Sequence, residues 1–303
     1  MSTVIENARM HRAPLEWLCL ALRATLIPRL VRELVQRRRV TILLYHRPRP
    51  ASFAAHVRLL EKAYNLIPLS DLMGALERRT LADLPPKPLV ISFDDGHRSN
   101  YELIDILREL PASPTIFLCS GIVGTDAPYW FDLVTDPEPL KRVSDETRLR
   151  ALAGTSRIGG GTRAALDGDE IEALKPYVDF QSHTVSHPIL PRCDADKAFE
   201  ELSLSRAQLE RAYDLDVYAL AYPNGDYSDR ELLLARRAGY RCAVTVEPGF
   251  NGPTADPFRL RRIPVDDDRD GPNTVLLKAC GIWGVARAIL HRRGRPARDR
   301  IEA

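Results

Sequence analysis

The chain has no run of about 20 apolar residues, the length that crosses a bilayer core, so no membrane-spanning segment is expected. It has no Cys-x-x-Cys spacing: its five cysteines, Cys19, Cys119, Cys193, Cys242 and Cys280, are scattered and odd in number. That speaks against a cysteine metal site and a disulfide framework, and points to a reducing compartment. It has no strong excess of one charge, the formal net charge being +2, so the field of the whole molecule implies no nucleic-acid partner. A convincing leader is missing too. Leu15–Leu22 comes nearest to a signal-peptide core, but it contains Glu16, runs into Arg23 and lacks a small-residue cleavage site. There is no internal repeat. A cytoplasmic location is the expectation.

What is present is an ordinary globular composition over 303 residues, 45% hydrophobic and 28% charged, enough for one large domain or two modest ones. Charge is unevenly placed. Residues 1–50 carry ten Arg against three Glu and residues 281–303 six Arg against two acids, which leaves a middle with about nine net negative charges. Residues 1–39 read as an amphipathic helical extension, with Leu15, Leu18, Leu22 and Leu26 at helical spacing among arginines. Residues 40–268 read as repeated strand-then-helix units: strands at Val40–Tyr45, Leu89–Phe93, Thr115–Leu118, Val178–Gln181, Tyr218–Ala221 and Arg241–Val246. Helices are expected at Ser52–Ala63, after an N-cap at Ser70, and at Asn100–Leu110, Asp194–Tyr213 and Asp229–Ala238. Continuous apolar strands alternating with helices imply a parallel sheet, open or closed into a barrel. Between Gly121 and Gly168 the pattern lapses into a Gly-, Pro- and charge-rich insertion with Gly159–Gly161 and the cluster Tyr129-Trp130-Phe131. Residues 269–303 form a basic tail of helical character.

The residues that carry chemistry lie at strand ends. The apolar run Val90–Phe93 stops at Asp94-Asp95-Gly96. Neighbouring strand residues point to opposite faces, so two adjacent carboxylates can aim together only where the strand gives way to a turn, which Gly96 permits. Alone, this motif is more often a solvated turn than an active site. Ser182-His183-Thr184-Val185-Ser186-His187 follows another strand, and a spacing of four puts both imidazoles on one face if the segment is helical, with Pro188 limiting such a helix. Two imidazoles and a carboxylate suit zinc and related divalent ions, and leave positions open for catalysis.

These residues bring a family into view. Phe93-Asp94-Asp95-Gly96 followed by Ser182–His187 resembles the first two motifs of polysaccharide deacetylases of the NodB-homology type, carbohydrate esterase family 4. Ala221-Tyr222-Pro223-Asn224-Gly225, after an apolar strand, resembles the third. The resemblance spans residues 40–268 and implies a distorted (β/α) barrel of about seven parallel strands that removes N-acetyl groups from amino sugars. It implies Asp95, His183 and His187 as metal ligands, Asp94 as general base and the backbone N–H of Asn224 as an oxyanion donor. The metal is expected to be Zn2+, with Co2+ or Ni2+ as alternatives.

Two departures from the family pattern stand out. The third-motif arginine that orients the catalytic Asp falls on Ala221 or another apolar residue, and the only histidine after His187 is His291, in the Arg-rich tail. His46, after the strand Val40–Tyr45, is expected to replace the general acid, with His97 a weaker candidate that also reads as an exposed turn residue. Arg262 is the candidate for the missing arginine. Tyr129, Trp130, Tyr222 and Arg262 are candidate substrate contacts, although the aromatics also read as anchors for the insertion. Asp266-Asp267-Asp268 suits either a fourth motif or a solvated acidic turn.

The leading expectation is a metal-dependent carbohydrate de-N-acetylase acting on a poly- or oligosaccharide or a glycan intermediate. The alternatives are a non-catalytic sugar-binding or scaffold protein on the same barrel, or a deacylase of a lipid-linked sugar or a non-sugar amide. The arginine-rich termini, with Trp17, add contact with an anionic membrane surface as a further expectation.

Overall fold

The run after Val40 becomes the strand β1 (Thr41–Tyr45), every residue of it buried. It lies parallel to the equally buried β3 (Pro88–Phe93), in register from Thr41 beside Leu89 to Tyr45 beside Phe93. Strands covered on both faces need the unbroken apolar runs seen here. The computed structural model describes residues 12–155 and 163–283, so the 159–161 glycines, residues 1–11 and the tail from 284 onward lie outside the described residues.

Six further strands complete the sheet: β2 (Asn65–Leu66), β4 (Thr115–Leu118), β5 (Asp179–Ser182), β6 (Ala219–Ala221), β7 (Cys242–Val244) and β8 (Ile263–Pro264). All pairings are parallel, in the order β7-β6-β5-β4-β3-β1-β8, with β2 added beside β3. The seam between β7 and β8 is bridged by the backbone bonds Leu260 N to Ala243 O (3.0 Å), Thr245 N to Leu260 O (2.8 Å) and Arg262 N to Glu247 O (3.1 Å). The result is the distorted α/β barrel the sequence implied. Neither β2 nor β8 was foreseen; each is two residues long, too short for a hydrophobic period.

Alternation divides the core. Ile42, Val90, Phe117, Ala219 and Val244 pack together with Leu69, Leu72 and Met73 of the helix Leu69–Arg78, while Leu43, Ile91 and Ile116 join the larger cluster under the other helices. The helix Leu69–Arg78 thus plugs the barrel, and its Glu77 pairs with Arg241 (2.7 Å) just before β7, at the strands' N-terminal ends. It starts after Pro68, so Ser70 lies in its first turn and caps nothing.

The helix expected over Asn100–Leu110 is a 3-10 stretch, Arg98–Leu103, leading into a short α-helix, Ile104–Glu109. The described part of the insertion is tied down, with a 3-10 turn at Trp130–Leu133 and a Ser144-capped helix at Asp145–Leu152. Its end pairs with the turn after β3, where Leu166 N donates to Gly96 O (2.9 Å). The helices Arg12–Ala24 and Ile27–Leu34 precede β1, the first packing on the helix Pro272–Ala279 through Cys19. Of the leucine stripe expected there, Leu22 is part-buried and Leu26 is exposed. All five cysteines are buried, and none is in a disulfide. Among the described residues, no helix is long and apolar enough to cross a membrane.

Candidate active site

At the end of β3 the backbone reverses its twist. Asp95 has φ +74° and Gly96 φ +75°, and a Cβ on Gly96 would sit 2.4 Å from Leu118 Cδ2, so only glycine fits there. The reversal lets two neighbouring carboxylates share one mouth, and both are buried. They are not equivalent. Asp95 Oδ2 accepts from His97 Nε2 (2.9 Å), and the Asp95 carbonyl accepts from the Tyr129 hydroxyl (2.7 Å). Asp95 Oδ1 is buried without a hydrogen-bond partner and lies 3.5 Å from Nε2 of both His183 and His187.

The two histidines reach that point by different means. His183 follows β5 directly, and its Nδ1 lies 2.8 Å from the carbonyl of Ala221. A carbonyl only accepts, so Nδ1 carries the proton and Nε2 turns a lone pair to Asp95. His187 arrives through a loop and not the helix that its spacing suggested: Thr184 at φ +69° and His187 at φ +57° wind the chain back. A β-branched residue in that region is strained, and the surroundings must hold it. The buried carboxylate of Glu201 does so, accepting from Val185 N and Ser186 N (both 2.9 Å) and from Ser186 Oγ (2.7 Å), with Lys197 Nζ at 3.2 Å. Trp130 Nε1 donates to the His187 carbonyl (2.7 Å).

Burial pushes the His187 imidazole down to about 3, so at ordinary pH it is neutral. Burial alone would raise the Asp95 carboxyl, but the imidazoles of His97, His187 and His183 more than offset it and hold it well below the usual carboxylate range. The ligand atoms of Asp95, His183 and His187 all lie within 4.8 Å of one another. A buried carboxylate oxygen without a hydrogen-bond partner, facing two imidazole nitrogens, is a donor set that fits zinc-like divalent ions.

Asp94 is held differently. Arg262 grips it with both arms, Nη1 to Oδ1 at 2.6 Å and Nη2 to Oδ2 at 2.7 Å, while its Nε donates to Thr245 O (2.8 Å). Arg262 is fully buried inside the barrel, its guanidinium 5.6 Å from the Phe117 ring centroid. Burial pushes the Asp94 carboxyl up, and the guanidinium, then His183, more than offset it, so the group stays ionised.

A cavity of about 730 Å³ opens over these groups, with His46, Asn224, Trp130, Phe131 and Asp266–Asp268 around its wall. The His46 backbone is pinned at both ends, its N–H donating to Asp267 Oδ2 (2.9 Å) and its carbonyl accepting from Asn100 Nδ2 (2.8 Å). Burial raises the Asp267 carboxyl despite the N–H donors of Arg47 and His46. Asn224, at φ +58°, also lines the cavity.

Some expected contacts are displaced. Tyr129 and Tyr222 are fully buried, their hydroxyls engaged by Asp95 O and by Phe258 O (3.2 Å), so neither offers a ring face to a sugar. Arg262 contacts Asp94 from inside the barrel and cannot reach a substrate. Trp130 and Phe131 remain at the wall. His97 is no exposed turn residue: it is buried, its imidazole lowered by burial against the pull of Asp95, and it donates to the proposed ligand. Glu201 went unnoticed, although the helix Ala195–Tyr213 buries it among Ala198, Leu202 and Ser205, and a carboxylate on a buried helical stripe is itself a signal.

The family model for polysaccharide deacetylase matches residues 82–243, which contain Asp94–Gly96, His183–His187 and Asn224. A putative polysaccharide deacetylase of Bacillus subtilis (strain 168), YxkH, is 22% identical over 245 residues, covering 77% of this chain and 74% of that protein. Among solved structures, the Streptococcus pyogenes deacetylase PplD in complex with acetate aligns with a TM-score of 0.61 at 22% identity, over 80% of this chain and 98% of that one. IcaB from Ammonifex degensii aligns with a TM-score of 0.60 at 20% identity, over 80% and 97%. The structural likenesses show a shared fold, and the family model spans more than half of the 303 residues: the chain belongs to the polysaccharide deacetylase family.

Proposed function

We propose that this chain hydrolyses the N-acetyl group of an amino sugar in a poly- or oligosaccharide or a glycan intermediate, using a divalent cation held by Asp95, His183 and His187. The observation that carries the reading is the unequal treatment of the two carboxylates: Asp95 keeps a bare buried oxygen toward two imidazoles, while Asp94 is kept ionised by Arg262. When bound there, Zn2+ or a similar ion supplies Lewis-acid activation of water and of the amide carbonyl.

The chain's own residues do the rest. Asp94, ionised and fixed by Arg262, takes the proton of the attacking water as the new C–O bond forms. The backbone N–H of Asn224 meets the negative charge that develops on the former carbonyl oxygen. His46 gives a proton to the amine nitrogen as the C–N bond breaks, and acetate and a free amino sugar leave. Phe131, half-buried at the cavity wall beside the buried Trp130, offers apolar surface against which a sugar ring packs.

Acetate release from N-acetylated oligosaccharides, with and without added Zn2+ or Co2+, tests this. Asp94→Asn is expected to lower turnover about 10²- to 10⁴-fold while leaving bound metal unchanged, and His46→Ala to lower it without loss of metal. Bound metal with no turnover on any acetylated saccharide would instead fit a sugar-binding protein, and unchanged turnover in His46→Ala would remove the acid assignment.

A further inference from the structure

Among the described residues, ten large hydrophobic side chains are exposed, and seven of them lie between residues 17 and 35. The other three, Leu149, Leu204 and Leu233, sit singly on three different helices, as surface leucines commonly do. The cluster is not of that kind. On the helix Ile27–Leu34, Ile27, Leu30 and Leu34 recur at helical spacing, and with Leu26 they form one outward stripe. Leu26 is 69% exposed and Leu34 79%. The side turned to the barrel carries buried Pro28 and half-buried Arg32, whose guanidinium lies 6.0 Å from the Tyr64 ring centroid. Gln36 follows, donating to Thr41 Oγ1 (2.9 Å) and Ala279 O (2.7 Å). The helix is amphipathic with its apolar side out. On the adjoining helix, Arg12–Ala24, Trp17 is also 69% exposed.

Cations frame this surface. Arg23, Arg29, Arg37, Arg38 and Arg39 are exposed. The only acid in residues 17–39 is Glu33, already paired with Lys87 (2.6 Å) and Arg37 (3.5 Å). We propose that this helical hairpin seats the protein on an anionic bilayer surface, with the leucine stripe at the acyl boundary and the arginines among the headgroup phosphates. The helix Ile27–Leu34, eight residues long, lies on such a surface and cannot span it. Charge selects this occupant. A second copy docked on the same face would oppose arginine to arginine, and residues 284–303, with six Arg and two acids, share the patch's sign.

The hairpin is fastened along the helix Pro272–Ala279, by Arg23 Nη1 to Asn273 Oδ1 (2.9 Å) at its turn and by Gln36 Nε2 to Ala279 O (2.7 Å) at its end. The proposal does not depend on the catalytic reading.

Flotation of the full chain with vesicles is the test. Binding is expected to vesicles of equal parts phosphatidylcholine and phosphatidylglycerol, to weaken with salt, and to be absent on phosphatidylcholine alone. Leu30→Glu/Leu34→Glu is expected to cut partitioning about tenfold or more, with circular dichroism and acetate release from a soluble substrate unchanged. No flotation of the wild type, or equal flotation of the double variant, overturns the proposal. A dimer in light scattering that the same variant dissociates, without vesicle binding, gives the patch to a second copy instead.

Discussion

The mouth of the barrel and the N-terminal hairpin break the same rule in opposite directions. At the mouth, Asp94, Asp95, His97, His183 and Arg262 are removed from water. On the hairpin, Trp17, Leu26, Leu30 and Leu34 are left in it. Burying charge and exposing hydrocarbon both cost stability, and neither is needed to form the fold. A chain that tolerates both is constrained by something beyond folding: a reaction at one place and, on the reading above, a surface at the other. The comparison sharpens into an experiment, because side chains kept for function can be replaced by ones that suit the local environment without loss of stability.

The largest effect is expected at the Asp94–Arg262 pair. Arg262→Met leaves a carboxylate buried without its partner and is expected to destabilise the fold by about 3–5 kcal/mol. The double variant Asp94→Leu/Arg262→Met removes both charges and is expected to recover most of that loss while turnover stays abolished. The sign with pH follows from Asp94, whose folded carboxyl is held below the ordinary range. Its contribution is present above that range and is lost as pH falls through the lowered value. The gap between wild type and Arg262→Met, read from urea midpoints, is therefore widest near neutrality and closes in acid. A double variant less stable than the single would show that the pair supports the fold itself, and the contrast between the two regions would fail.

Next come the residues that aim the three proposed metal ligands. His97→Gln alters the donor to Asp95 Oδ2, and Glu201→Gln weakens the acceptor that bends Val185 and Ser186 toward His187. Each is expected to lower Zn2+ affinity on the order of 10- to 100-fold, measured by competition with a chromophoric chelator. Unchanged affinity in both would mean that the three ligands are fixed by the strand ends alone.

The local parts of this site could be read from the sequence. β1, β3 and β4 announce themselves as apolar runs, and Asp94-Asp95-Gly96 is complete within one turn, so the chemistry of that turn needs no tertiary information. Arg262 could be suspected but not placed, because its reach to Asp94 depends on the Leu260–Pro264 segment closing the barrel between β7 and β1. His97 looked exposed because nothing nearby in sequence reveals that Ala164 and Ala165 of the insertion fold back over its turn. The convergence of His183 and His187 was legible; the positive-φ loop that achieves it was not, since a spacing of four suits a helix equally well. The hairpin shows another limit. Helical spacing reveals an apolar side, but not whether that side meets the protein or faces away from it.

The smallest effect is expected on that outward side, and its smallness is the point. Leu34 is 79% exposed and Leu30 52%, so Leu30→Glu/Leu34→Glu removes little packing and is expected to shift folding stability by no more than about 0.5 kcal/mol per substitution. Thermal melts of the two proteins should nearly coincide. A substantial destabilisation would mean that the stripe is covered in solution by part of the chain itself, and the hairpin would then be an ordinary core element. Coincident melts leave the leucines without a structural role. Their exposure then matches the burial of Asp94 and Arg262: each cost is tolerated because of what the protein must meet at that surface.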